Sequence, residues 1–307
     1  MRKTNHELPL KKRILRHWQL YFVVAIPLIL ILIFSYGPMY GIQIAFRDYI
    51  ATDGISGSEW VGLHYFESFF KTRQFPRLLG NTIGISLYTL AAGFPVPIIL
   101  AISLNECDSV RFKKTAQMIT YAPHFISTVV IVSMMILMFS MKTGIVNNAI
   151  EAVGGERINF LGEASLFKTM YVWSGVWQSM GFNSILYPSA LTSVDPALHE
   201  AATIDGATRL KRIWHIDIPS ILPTIVISLI LNTGSIMSVG YEKILLMQNN
   251  LNLSTSDVIS TYVYRIGLVQ AQYSLSTAVN LFNSVVNLII IVTVNAIARK
   301  LGETSLW

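Results

Sequence analysis

Residues 199–219, "HEAATIDGATRLKRIWHIDIP", are charged where their surroundings are not. Asp205, Arg209, Lys211 and Arg212 crowd the middle of the stretch, yet residues 170–191 before it and 220–240 after it contain no Asp, Glu, Lys or Arg. The rest of the chain resembles those flanks. Its 307 residues are 52% hydrophobic and 13% charged, against roughly 25% charged in an ordinary soluble domain. Six uncharged stretches reach the roughly 20 residues that span about 30 Å of hydrocarbon: 20–40, 82–104, 116–141, 170–191, 220–240 and 278–298. The fourth and fifth are the most diluted by Ser, Asn, Gly and Pro, which a helix tolerates where it faces protein or a water-filled cavity. The fold class expected is therefore all-α: a polytopic membrane protein of about six transmembrane helices, with residues 1–307 forming one domain.

Basic residues set the expected orientation. Arg2, Lys3, Lys11, Lys12, Arg13 and Arg16 oppose only Glu7 in the tail of about residues 1–18, which keeps that tail in the cytoplasm. With six spans, both termini and the second and fourth loops lie inside. The inside then holds 14 Lys/Arg and 8 Asp/Glu and the outside 9 of each, so the whole +6 charge falls on the cytoplasmic side. Topology accounts for the basic balance without nucleic acid. The first apolar run is full length and lacks an A-x-A-like cleavage site, which marks a retained helix rather than a signal peptide. Cys107, the single cysteine, cannot form an intrachain disulfide.

Several enzyme classes are excluded. No G-x-x-x-x-G-K-[ST] occurs, so the chain has no P-loop of its own. His199-Glu200 begins like H-E-x-x-H, but Thr203 stands where the second histidine belongs. There is no C-x-x-C, no G-x-S-x-G and no pair of intramembrane carboxylates. His124 is the one titratable group within a span, and a hydrogen bond near a helix end is the reading given to it. No catalytic residue and no metal site is expected.

The charged stretch, within a loop of about residues 192–219, reads as a short helix-turn-helix. Asp195-Pro196 is a helix start, because Asp accepts from free amides and Pro at the first position loses nothing by lacking an N–H. Glu200, Ala201 and Ala202 favour helix, Gly206 permits the turn that ends it, and Pro219 is expected to stop a second helix at the membrane edge. Ala201, Ala202 and Ile204, flanked by Glu200, Arg209, Lys211 and Arg212, then form a compact docking knob with charges at its rim. Polar residues also recur at helical spacing within the spans. Asn280, Asn283, Ser284 and Asn287 share one face of the sixth, Ser228, Asn232 and Ser235 mark the fifth, and Trp173, Trp177, Ser184 and Tyr187 the fourth. Each serves helix packing or a solute path.

Glu200-Ala201-Ala202, three residues, Gly206, nine residues, Ile216, one residue, then Ile218-Pro219 resembles the E-A-A-x3-G-x9-I-x-L-P loop of ABC-importer permeases, with Ile218 for the usual Leu. A chance match of six such positions has a probability on the order of 10⁻⁷ per start. "WVGLHYFESFF" (60–70), "NTIGISLY" (81–88), "YAPHFIS" (121–127) and "DVISTYVYRIGL" (257–268) look like the carbohydrate branch, and the ending "ARKLGETSLW" is similar to the LplB-type oligosaccharide and polysaccharide permeases. The resemblance implies a bacterial plasma-membrane subunit paired with a second homologous permease. It further implies two ATPase subunits that carry ATP and Mg, and an extracytoplasmic binding protein that delivers a saccharide. No cofactor is expected on this chain. Glu200, Ala201, Ala202, Asp205, Gly206, Ile216 and Pro219 would form the ATPase-coupling loop.

A sugar path needs aromatic faces to stack on sugar rings and amides to bond hydroxyls. Trp177, Asn183, Tyr187, Asn232, Tyr241, Glu242, Asn280 and Asn283 are the candidates. A permease for a non-sugar solute and a membrane sensor or scaffold stand as alternatives. A polytopic enzyme lacks any nucleophile, metal or acid–base set.

Overall fold

The computed structural model describes residues 17–300; the basic residues between Arg2 and Arg16 and the ending 301–307 lie outside them. The only strands among the described residues are a two-residue antiparallel ladder, Arg47–Asp48 (β1) on Glu59–Trp60 (β2). Everything else is helix and connection, as an apolar chain with no water to satisfy its backbone requires.

Helix α1 (Trp18–Ile31) continues through a π turn (Leu32–Tyr36) and a 3₁₀ stretch (Gly37–Phe46) into a 29-residue run whose most apolar window has no buried residue. A helix that is apolar all round and uncovered by its own chain belongs against lipid or another subunit. Short α2 (His64–Lys71) leads into α3 (Phe75–Gly93) and α4 (Pro95–Asn105), which together make an apolar run of 31 residues. After α5 (Val110–Tyr121), α6 (Thr128–Met138) and α7 (Ile145–Ala152) comes α8 (Ala164–Ser184), which packs on α3, α4 and α5. A Cβ on Gly181 of α8 would meet the Thr120 carbonyl oxygen of α5. Only glycine allows so close a crossing. The chain proceeds through α9 (Leu186–Leu191), α10 (Pro196–Ile204), α11 (Arg209–Arg212), α12 (Ile218–Thr233), α13 (Tyr241–Met247), α14 (Ile259–Tyr264) and the long α15 (Tyr273–Lys300).

Among the described residues, four helical runs are long and apolar enough to cross a membrane: 18–46, 75–105, 209–233 and 273–300. A fifth is α5 with α6, taken as one span bent by 100°. The stretch expected as a straight third span is therefore broken. Pro123 lies in a 3₁₀ turn at the break, and the Ser127 hydroxyl accepts from the Val130 amide to cap the second half. At the same break His124 stacks on Phe182 of α8, centroids 3.8 Å apart and nearly parallel; the contact is ring on ring rather than the hydrogen bond expected from sequence. The fourth expected span is the 21-residue α8 followed by α9. Of its polar residues Ser184 is buried, whereas Gln178, Ser179 and Asn183 line a cavity.

The fifth span begins earlier than residue 220 and ends at Thr233. Pro219 does not stop a helix: α11 runs through a π turn, Ile213–Asp217, directly into α12, with Pro219 in the first turn of α12. A wider i→i+5 turn just before a proline accommodates the ring and its missing donor within one continuous helix.

Three apolar clusters hold the domain. One joins α3, α6, α8 and α13 through Ile85, Ile131, Phe167 and Ile244, and a second joins α2, α3, α14 and α15 through Phe69, Leu78, Tyr262 and Val279. The third, of Ala101, Tyr187, Leu191 and Ile221, sits at the knob end. A fully buried carboxylate, Asp257, ties the opposite end: Arg265 reaches it at 3.0 and 3.2 Å and Arg77 at 3.4 Å, and Thr261 donates to it at 3.2 Å. Such pairing offsets the cost of taking the Asp257 charge out of water.

Candidate functional site

Two regions carry chemistry beyond packing. The first is the knob of α10 and α11. The Asp195 side chain accepts from the Ala197 amide at 2.9 Å, and Pro196 takes the first helical position, as its sequence required. At the other end Gly206 has φ of +77°. Its amide donates to Thr203, and the Ala207 amide donates back to Ala202. These two bonds form the Schellman closure that a left-handed glycine allows. The Thr208 hydroxyl then caps α11 by accepting from the Lys211 amide.

Three further contacts brace the knob. Arg212 donates to the Thr203 hydroxyl at 3.0 Å, Arg209 reaches Asp108 at 3.0 Å, and His199 Nε2 lies 3.3 Å from the buried Asp217 carboxylate in the π turn. No residue of α10 is buried; Ile204 is 86% exposed, Leu210 70% and Trp214 66%. Large apolar side chains held outward on a rigid, capped scaffold are the features a docking surface requires. Glu200, Ala201 and Asp205 are exposed on the knob, Ala202 is half-buried, Ile216 is tucked into the π turn and Pro219 opens α12.

The second region is a cavity of about 330 Å³ between α3, α8, the end of α12 and α13. Ser86, Thr89, Gln178, Ser179, Asn183 and Asn232 give it hydroxyls and amides, and Tyr171 an aromatic ring. A neighbouring cavity of about 420 Å³ shares Gly93, Phe94, Asn183 and Asn232, and adds Tyr187 and Phe182. Asn232 spends its amide N–H on the Ser228 carbonyl at 2.7 Å, while Gln178 donates to the Ile126 carbonyl at the break between α5 and α6.

Of the eight path residues proposed from sequence, the structure gathers Asn183, Tyr187 and Asn232 at these cavities. Trp177 is 43% exposed and outside both linings, and Tyr241, exposed, stacks on Tyr264. Glu242 and Asn280 are exposed elsewhere. Asn283 is buried with its Oδ1 unpartnered, and neighbouring Asn287 bridges to the Met237 amide and the Ser238 hydroxyl. Lys243 was not anticipated. It stands on α13, between the fifth and sixth spans, and burial alone lowers its ammonium from the usual lysine range to about 8. A lone lysine between an acid and an apolar ILLM run was its only sequence signal.

The description "binding-protein-dependent transport system inner membrane component" matches residues 93–303, a segment that contains both the knob and most of the cavity wall. The chain belongs to this family. It is a multi-pass permease subunit of the ABC-transporter type. It is 43% identical to protein LplB of Bacillus subtilis over 94% of this chain and 91% of that one. It is 42% identical to the polygalacturonan/rhamnogalacturonan transport system permease protein YteP of the same organism, over 96% and 92%. It also superposes, with a TM-score of 0.88 and 40% identity over 97% of this chain and 99% of the other, on a chain in the crystal structure of a bacterial alginate ABC transporter in complex with alginate pentasaccharide-bound periplasmic protein.

Proposed function

We propose that this permease carries an oligosaccharide or polysaccharide fragment inward, paired with a second homologous permease, driven by two ATPase subunits and supplied by an extracytoplasmic binding protein. The observation that carries the reading is the direct helical connection between the docking knob and the cavity: Arg209 at the knob and Asn232 at the cavity belong to the same 25-residue run. A force applied by a partner at the knob therefore reaches the solute path without crossing a flexible loop. The names of the relatives support a saccharide, as does a cavity furnished with amides, hydroxyls and an aromatic ring. The excess of Lys and Arg on the knob side supports a cytoplasmic knob and cytoplasmic termini.

In the mechanism we propose, ATP binding draws the two ATPases together around the knobs. The knobs move as rigid bodies, and the helices rock from inward-open to outward-open around the cavity. Glu200 and the exposed Ile204 would sit in the ATPase groove, and Gly206 would keep the closure that shapes the knob. Tagged chain purified from native membranes in mild detergent should bring with it an ATPase and a second permease, identified by mass spectrometry. Recovery of the chain alone, even after crosslinking, would overturn the reading.

A further inference from the structure

We propose that Lys243 receives a carboxylate of the transported molecule, so that the solute is an acidic, uronate-bearing saccharide; this rests on the saccharide reading above. Lys243 is the one formally charged residue lining either cavity. It is only 9% exposed, yet among the described residues it forms no ion pair with a carboxylate. Its ammonium donates once, to the Tyr171 carbonyl at 3.1 Å, and lies 5.0 Å from the centre of the Tyr171 ring.

Two of its three donors remain for something that enters the cavity. Space is kept for them: a Cβ on Gly175, one helical turn beyond Tyr171, would come within 3.3 Å of Nζ. A buried cation held by a carbonyl and a ring face, with no counter-ion, is poorly compensated until an anion arrives. The surrounding hydroxyls and amides are neutral and suit the rest of a sugar. Anionic charge combined with hydroxyl recognition describes a uronic acid unit better than a neutral sugar or an amino acid, whose own ammonium Lys243 would repel.

The test uses the complete importer in proteoliposomes with its binding protein outside, and two probes of equal length, trigalacturonate and its fully methyl-esterified form. Wild type should accumulate the acid. Lys243→Met should lower that uptake about tenfold or more, the value of one lost charge-assisted hydrogen bond, and Lys243→Arg should restore most of it. Any uptake of the ester should be affected much less. Lys243→Gln serves where the methionine variant fails to assemble. Undiminished uptake of the acid by Lys243→Met or Lys243→Gln would overturn the assignment, as would wild-type preference for the ester or for neutral galactotriose. Accumulation of no saccharide by an importer that assembles and hydrolyses ATP would instead overturn the saccharide reading, and the assignment with it.

Discussion

The knob and the cavity are built by opposite strategies. The bonds that open and close the α10 helix are local: Asp195 to Ala197, Gly206 to Thr203 and Ala207 to Ala202 all close within five residues. The cavity is assembled from residues far apart in the chain, Ser86 on α3, Tyr171 and Asn183 on α8, Asn232 on α12 and Lys243 on α13. Local closure, reinforced by the braces at Thr203, Asp108 and Asp217, makes the knob a rigid body, which suits a part that is gripped. Distributed closure makes the cavity only as fixed as the packing of four elements, which suits a part that must change shape.

The largest effect that would break this comparison is at Gly206. Gly206→Arg places a bulky side chain at a left-handed position that costs an ordinary residue roughly 1–2 kcal/mol and adds charge to the docking face. Solute uptake should fall to background with normal amounts of protein in the membrane, and uptake by intact cells together with a membrane blot checks both. Wild-type uptake by this variant would remove the knob from the coupling route. Next come Asn183→Ala and Asn232→Ala. Each should reduce uptake about tenfold, from the loss of roughly one to two hydrogen bonds at about 1 kcal/mol apiece, while the ATPases still co-purify. Unchanged uptake in both would return these amides to helix packing.

A smaller change sharpens the local side. Asp195→Ala removes an N-cap worth about 1 kcal/mol and should speed hydrogen exchange of the α10 amides about fivefold, leaving exchange around the cavity unaltered. The smallest is expected at Arg209→Ala. Its partner Asp108 and Arg209 itself are both largely exposed, and such pairs are worth about 0–1 kcal/mol. Uptake should stay within about twofold of wild type, and a larger loss would mean that Arg209 touches a partner.

The same contrast explains what was legible in the sequence. Asp195, Pro196 and Gly206 announce their structure because a cap, a first-turn proline and a left-handed glycine act on neighbours a few positions away. The spans were legible as apolar runs, but their breaks were less so. Pro123 and Pro219 look alike in sequence, yet one sits at a 100° bend and the other inside a continuous helix. What separates them is the π turn before Pro219, which periodicity does not reveal. In the cavity, Asn183, Tyr187 and Asn232 were found because a polar residue in an apolar run is conspicuous. Lys243 was missed because a charge in a connecting segment is ordinary until folding buries it, and Asn280 was included because its spacing placed it beside Asn283 although the chain leaves it exposed.

The continuous run from Arg209 to Thr233 has the proportions of a lever. At 1.5 Å per residue its 25 residues measure about 37 Å, so each degree of tilt at the knob carries Asn232 sideways by about 0.6 Å. A few degrees of rotation then match the width of a hydrogen bond, and a small stroke at one face is geared up to a change in what the cavity can hold. Pro223 removes one rung partway along that arm and gives it a compliant point. The gearing depends on where along the helix the arm bends as well as on how far the knob is moved.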